Sequence, residues 1–427
     1  MASSDFKILS ETPLNAEPPL SSLAKDFFTP TDSAFHRNHG AVMEKDVEMY
    51  RLAITSEIKG IQVEKELRYE EIEAFRRVDV SAAMSCAGNR RSEMNEEKEV
   101  EGLQWGGSAI FNSLFAGPLL RDVLSSVGIK LEELEKREDV EKLHLHFETT
   151  QKCEDAEFYG SSLSARMALD PERPVLLATH MNGDVLNAKH GFPCRLVAPG
   201  IIGARSVKWL ERIVLRDRPS DNFYMTRDYK ILPPEATPET KEEYLKKVEP
   251  LMELPLNSEI CDPADGTTVQ LEGENSIRVR GYALGSHGTP IQSVNIALIP
   301  LPLPSTSPQA DTAAASPGIE LPHPEQHQIR LAANSLSEDQ WTQAKLDDHA
   351  GDEESNRSSN KNWGWTLFSA SVEVPKELAE EARGGETNVA LVAYAVDENG
   401  NKQELQTAWN LRGVAEAGWS VSRITLS

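Results

Sequence analysis

Ser85-Cys86-Ala87-Gly88-Asn89-Arg90-Arg91-Ser92-Glu93-Met94 places one cysteine at the entrance of a small-residue turn and two arginines directly after it. Glycine lets a backbone pass close to a bulky group. Nearby guanidinium groups favour thiolate over thiol, which makes a sulfur into a metal ligand or a nucleophile. The same groups offer forked donors to an oxyanion. Taken alone, a cysteine of this kind is more often a buried structural residue beside a surface arginine pair. Its meaning therefore depends on the rest of the chain.

The chain has 427 residues and a formal charge of −24, from 44 basic and 68 acidic side chains. At ~100–200 residues per domain, two or three domains are expected. So acidic a surface repels phosphate backbones and anionic lipid, which argues against nucleic-acid and membrane partners. It repels small anions as well, so an anionic substrate would need a local basic pocket. Cys153, Cys194 and Cys261 show no CxxC or CxxH spacing, which makes zinc and iron–sulfur sites improbable. So few cysteines in so long a chain point to a reduced, cytoplasmic protein. The first twenty residues hold no apolar run of signal length. No stretch reaches the ~18 apolar residues of a membrane span. The ending Arg423-Ile424-Thr425-Leu426-Ser427 is not a Ser-Lys-Leu address. Mitochondrial or peroxisomal placement stays open.

Residues 1–25 read as a flexible tail. Residues 26–248 mix short strands, such as Val175–Ala178 and Arg195–Val197, with short helices such as Leu119–Val127. No βαβ period repeats, so this domain is expected to be α+β. Pro233-Pro234 and a Glu/Lys-rich run mark a connector over about 230–250. Residues 249–427 alternate as short strands between Gly/Asn turns, the pattern of a β-sandwich. The stretch at about 300–360 is rich in Pro, Ser, Ala and Asp. It buries too little to offset its ordering entropy and reads as a disordered insertion. Trp341, with Leu346 downstream to pack against it, marks a short ordered island.

The cysteine stretch resembles the molybdenum-ligand motif of the sulfite oxidase family. Further motifs match in that family's order: Arg37-Asn38-His39; Gly102-Leu103-Gln104-Trp105-Gly106; Met181-Asn182-Gly183; His190-Gly191-Phe192-Pro193-Cys194-Arg195; Pro199 through Trp209; Arg227-Asp228-Tyr229-Lys230; and Trp409 through Val414. Their joint order is far more specific than any single one. The resemblance implies an α+β molybdopterin domain followed by an immunoglobulin-like dimerisation domain, and so a homodimer. It implies that Cys86 ligates molybdenum beside the sulfurs of molybdopterin, a soft ligand set suited to a redox metal. It assigns Asn38, His39, His190, Arg195, Arg205, Ser206 and Lys208 to the pterin and its phosphate. It assigns Arg37, Arg91, Trp105, Tyr229 and Arg412 to the substrate, with Tyr229 and Arg91 in the catalytic roles. Three arginines around one small dianion would supply the local positive field the global charge demands. Three positions depart from the family pattern: His36 stands for a common Phe, Glu101 for a Lys, and Gln151 for an Asp.

The activity so implied is oxidation of sulfite to sulfate. Nitrate reduction is the alternative, disfavoured by Tyr229, Arg412 and Ser92, where nitrate reductases carry other residues. A non-catalytic interaction protein on the same scaffold is a third reading, opposed by the intact Cys86, Arg91 and Arg412. No haem-binding His-Pro-Gly-Gly occurs. Electrons are therefore expected to pass to oxygen, as in the family's plant arrangement, or to a separate cytochrome.

Overall fold

The computed structural model describes residues 5–271, 275–302, 326–347 and 360–427. Among them no helix is long and apolar enough to cross a membrane.

Val78–Ser85 alternates in register: Val80, Ala82 and Met84 face one cluster, and Ala83 faces another. This two-residue period makes a strand buried on both faces. It pairs antiparallel with Ile110–Gly117, and short strands at His180–Met181 and Asp184–Val185 complete the sheet. The strand's free edge is covered by the second unit, where the Ala83 amide donates to the Trp363 carbonyl at 2.9 Å. Gly364 sits so close that a Cβ there would lie 2.8 Å from Ser81 Oγ.

A second sheet runs in the order Glu64–Arg68, Arg51–Ser56, Arg212–Arg216, His144–Glu148, Gly160–Ser164. Arg212–Arg216 lies parallel to Arg51–Ser56, and the other pairs are antiparallel. With short helices such as Leu120–Ser126, this makes the first unit α+β, as expected.

The described residues from 257 onward form the expected immunoglobulin-like β-sandwich. One sheet orders Asn257–Asp262, Ser276–Leu284, Thr366–Glu373, Lys345–Leu346; the other orders Thr268–Val269, Ser420–Leu426, Thr387–Asp397, Ile291–Pro300, Thr342–Gln343. Ile260, Ile277, Val279, Phe368, Leu391 and Ile424 fill the space between them. The connector is packed rather than loose. Leu232, Ala236 and Leu245 bury against Met94, Trp409 and Leu411, so it wedges between the two units.

Three expectations are corrected. The flexible tail is not one over its described part. Lys7–Ser10 and Asn15–Glu17 form a hairpin, and Asn15, Ala16 and Glu17 are fully buried. Glu17 accepts the Gly106 amide at 2.9 and 3.0 Å, which pins the hairpin beneath the cysteine turn. The disordered insertion is also overturned where it is described. Gln326–Asn334 is a helix, held because Ile329 and Ala333 bury against Val392 and Val421. The rest of that expectation, at residues 303–325 and 348–359, lies outside the described residues. Finally, Trp341 does not pack on Leu346. It meets Tyr394 and Trp419 edge-on at 4.8 and 5.4 Å, while Leu346 joins the sandwich interior.

Candidate active site

Cys86 follows the Val78–Ser85 strand directly, where the chain leaves the sheet in a tight turn. The Asn89 amide donates to the Cys86 carbonyl at 3.0 Å, and the Gly88 amide points at Cys86 Sγ at 3.4 Å. Arg90 takes a left-handed conformation (φ 64°), uncommon for a residue with a Cβ. Gly88 is required here, but its bulky neighbour is the chain's own arginine. A Cβ on Gly88 would lie 2.5 Å from Arg91 Nη2, and one on Gly102 would lie 2.8 Å from Nη1. Arg91 is thus sandwiched between two glycines. Its Nε donates to the carbonyls of Arg412 and Gly413 at 3.1 and 3.0 Å, and Nη1 to Leu103 at 2.8 Å. Burial pushes it down to about 10.

Cys86 opens into a cleft of about 700 Å³, counted to its open mouth. Its walls include Phe35, Phe111, Tyr159 and Trp209, and its cations are Arg37, Lys189, Arg195 and Lys208; among the described residues no carboxylate lines it. In a protein of net charge −24, four cations without an acid form a deliberate island. Lys208 donates to Asn38 Oδ1 and to the carbonyls of Arg37 and Lys189, all neutral oxygens. Arg195 gives its donors to the carbonyls of His190 and Ser206 at 3.1 Å each. Burial, with Arg195 and Arg37 alongside, pushes Lys208 well below the usual lysine value. A buried cation without a counter-charge is costly, and an anion in the cleft removes that cost. Gly191, at φ 106°, lets Lys208 and Arg195 close side by side; a Cβ there would meet both at 3.0–3.1 Å.

Across the cleft, Tyr229 and His39 meet at 2.6 Å, and Arg37 Nη2 donates to His39 Nδ1 at 3.0 Å. Burial first, then Arg37 and Lys208, hold His39 well below its usual value, so it is neutral. Arginine can only donate, so Nδ1 accepts and the ring hydrogen sits on Nε2. Nε2 then donates to the Tyr229 oxygen, leaving the Tyr229 hydrogen free to serve another acceptor. Burial raises the Tyr229 phenol, so that hydrogen stays in place at neutral pH.

The structure brings together Cys86, Arg37, Asn38, His39, His190, Arg195, Ser206, Lys208 and Tyr229 around this cleft. It leaves four expected residues off the wall. Trp105 is fully buried beneath the turn, edge-on to Phe35 at 6.2 Å. The Arg90 and Ser92 amides bond the Gly106 and Trp105 carbonyls, which draws Trp105 under the turn and away from solvent. Arg205 spends its donors on Tyr224, Leu251 and Tyr229 carbonyls and lies 5.6 Å from the Tyr229 ring. It holds Tyr229 and the connector rather than a phosphate. Arg91 is fixed by carbonyls, as above. Arg412 pairs with Asp228 and, at 3.3 Å, with Glu101. The acid that replaces the family's lysine therefore holds this arginine.

Sequence reading missed Phe35, Phe111, Tyr159, Lys189 and Trp209. Lys189 adjoins the recognised His190 motif, a signal that was available. It also missed Asn15, whose Oδ1 accepts from Arg37 Nη1 at 3.2 Å and the Asn38 amide at 2.9 Å.

A family model described as an oxidoreductase molybdopterin binding domain matches residues 39–224. One described as a Mo-co oxidoreductase dimerisation domain matches residues 248–299 and 332–426. The molecule is a molybdopterin oxidoreductase, an enzyme that works through a molybdenum cofactor. The sulfite oxidase of Arabidopsis thaliana is 32% identical over 97% of this chain and 92% of its own length. Human mitochondrial sulfite oxidase is 34% identical over 97% of this chain, which spans 64% of that relative. The chain therefore belongs to the sulfite oxidase family. The fold also matches the sulfane dehydrogenase SoxCD of Paracoccus pantotrophus, with a TM-score of 0.66 at 21% identity, covering 96% of this chain and 84% of that one.

The residues present fit the implied cofactor. Among the described residues no group of three or more His, Cys, Asp or Glu could hold a metal. A metal at Cys86 must therefore bring its other ligands with it, as one bound to a dithiolene does. The acid-free cationic wall suits a pterin phosphate.

Proposed function

We propose that this enzyme oxidises sulfite to sulfate and passes the electrons to oxygen or to a separate cytochrome. The observation that carries the reading is the acid-free set of Arg37, Lys189, Arg195 and Lys208 beside Cys86 and Tyr229. It supplies charge for two anions, the cofactor phosphate and a small dianionic substrate. When bound, the cofactor would supply the two-electron redox chemistry. Cys86 holds it through one thiolate. Lys208 and Arg195 neutralise its phosphate, with Asn38, His190 and Ser206 completing that wall. Arg37, anchored by Asn15 and aimed by its bond to His39, draws the substrate in. Tyr229 holds its proton and donates it as a hydrogen bond to a substrate oxygen, because His39 occupies the other side of its oxygen. Phe35, Phe111 and Trp209 exclude bulk water, which strengthens each of these charge contacts. Arg91 acts from behind the wall through the field it adds, and Arg412 by compensating Glu101 and Asp228 near the cleft. Two copies pair through the sandwich unit, in keeping with the dimerisation-domain match.

The test is steady-state turnover with sulfite and with nitrate, on the wild type and on Cys86→Ser, with oxygen uptake and cytochrome c reduction followed in parallel. Sulfite turnover that vanishes in Cys86→Ser is expected. Turnover of nitrate but not sulfite would overturn the substrate, and peroxide-free oxidation with fast cytochrome reduction would overturn oxygen as acceptor.

A further inference from the structure

Arg330 lies on the Gln326–Asn334 helix, inside residues 300–331 that the dimerisation-domain model leaves unmatched. It is buried, as charged residues almost never are unless paired. Its Nε donates to the Trp419 carbonyl at 2.7 Å, and its Nη2 to Glu93 Oε2 at 2.9 Å and Gln326 Oε1 at 3.2 Å. Glu416 Oε1 stands 3.5 Å from the same nitrogen.

Glu93 sits on the Arg91–Glu97 helix that leaves the cysteine turn. Its two oxygens are also held by Arg90, Nε at 2.7 Å and Nη2 at 2.8 Å. Arg90 is the left-handed residue of the turn, and its amide closes on the Gly106 carbonyl at 2.8 Å. Its Nη1 reaches across the domain boundary to Asn257 Oδ1 at 2.7 Å and the Gly418 carbonyl at 2.9 Å. Glycine is needed at 418, since a Cβ would lie 2.9 Å from Arg330 Nη1. A helix serving only as an apolar cover already has Ile329 and Ala333 for that purpose. Placing a guanidinium at 330 incurs desolvation that only the network offsets.

We propose that Arg330 is a positioning residue for the metal-binding turn. The helix is a strut: Arg330 fixes Glu93, Glu93 fixes Arg90, and Arg90 holds the left-handed step that aims Cys86 into the cleft. The inference rests on the reading of Cys86 as the metal ligand, but its structural half concerns the turn alone.

The experiment is amide hydrogen exchange across residues 86–97 and 326–334 in the full-length protein carrying its cofactor, with molybdenum content followed after dilution. Arg330→Met is expected to speed exchange at Asn89–Ser92 and to speed cofactor loss, each by roughly tenfold. Arg330→Lys should restore part of both, because it keeps the charge on Glu93. Should Arg330→Met fail to fold, Glu93→Gln weakens the same grip and should loosen the same amides. Faster exchange confined to 326–334, with 89–92 unchanged, would overturn the strut and leave the helix as cover. None of these readouts depends on sulfite being the substrate, so failure here and failure of the proposed activity are separable.

Discussion

Lys208 has three oxygen partners and none carries a charge. That imbalance makes it the clearest anion anchor in the cleft. A hydrogen bond to a charged group contributes about 1.5–3 kcal/mol, so Lys208→Met should weaken cofactor retention by roughly ten- to a hundredfold. Molybdenum per chain after gel filtration checks this, and undiminished loading would show that the phosphate sits elsewhere. Tyr229→Phe keeps the ring over Arg205 and removes only the hydroxyl that His39 orients. Loss of that donor is expected to lower kcat for sulfite about tenfold or more, with KM moving less. A change confined to KM would make Tyr229 a binding group alone. Arg412 is a different case, because Glu101 and Asp228 already neutralise it. Arg412→Met should still lower kcat/KM for sulfite, because it leaves Glu101 and Asp228 uncompensated near an anion-binding cleft. An unchanged value would remove Arg412 from the substrate's surroundings.

At the scale of elements, the N-terminal hairpin is the part of the site that sequence reading could not find. Its strands are four and three residues long, too short to show a two-residue period. They are stabilised by distant partners: Asn15 meets Arg37 and Asn38, and Glu17 meets Gly106. Trp105 was unreadable for the same reason. Amides at 90 and 92, more than ten residues upstream, decide which way it faces. By contrast, the sandwich strands were legible from their local alternation, and the cysteine turn and the Lys208 wall from motifs that resemble the family's in order. The glycine of the turn was legible as a close approach, though the approaching group is Arg91 rather than a ligand. The hairpin gives a direct prediction. Asn15→Ala leaves the buried Asn38 amide unpaired, which costs about 1–3 kcal/mol. Tm should fall, and KM for sulfite should rise as Arg37 loses its anchor. A lower Tm with an unchanged KM would make the hairpin a structural clasp only.

For the whole molecule, the buried groups predict how stability depends on pH. Away from the cleft, burial pushes His144 down to about 4 and lowers His146. The unfolded chain therefore binds protons that the fold refuses, from the ordinary histidine value downward. Stability from these histidines is present above that value and is lost as pH falls through it. Glu259 and Glu416 shift the other way, raised by burial at the domain boundary. Their network holds three carboxylates, with Glu93, against the two guanidiniums of Arg90 and Arg330. Burial therefore keeps a proton on Glu259 or Glu416 in the fold that the unfolded chain releases. That contribution is present at low pH and is lost as pH rises above the ordinary carboxylate value. The two slopes oppose one another between about pH 4.5 and 6.5, but the lowered histidines, with His36 and the cleft residues His39 and His190 among them, outnumber the one retained carboxyl proton, so Tm should rise with pH there. Above about pH 6.5 the histidines have finished titrating, and among the groups away from the cleft the carboxyl contribution should carry Tm downward. Self-repulsion at a net charge of −24 acts in the same direction. Glu259→Gln holds that position neutral at every pH, so it should flatten the alkaline fall while leaving the acid limb intact. Scanning calorimetry of both proteins from about pH 5 to 8.5 separates the outcomes. An equally steep alkaline fall in Glu259→Gln would place the retained proton on another carboxyl of the network, and a Tm rising steadily through this range would remove the buried proton altogether.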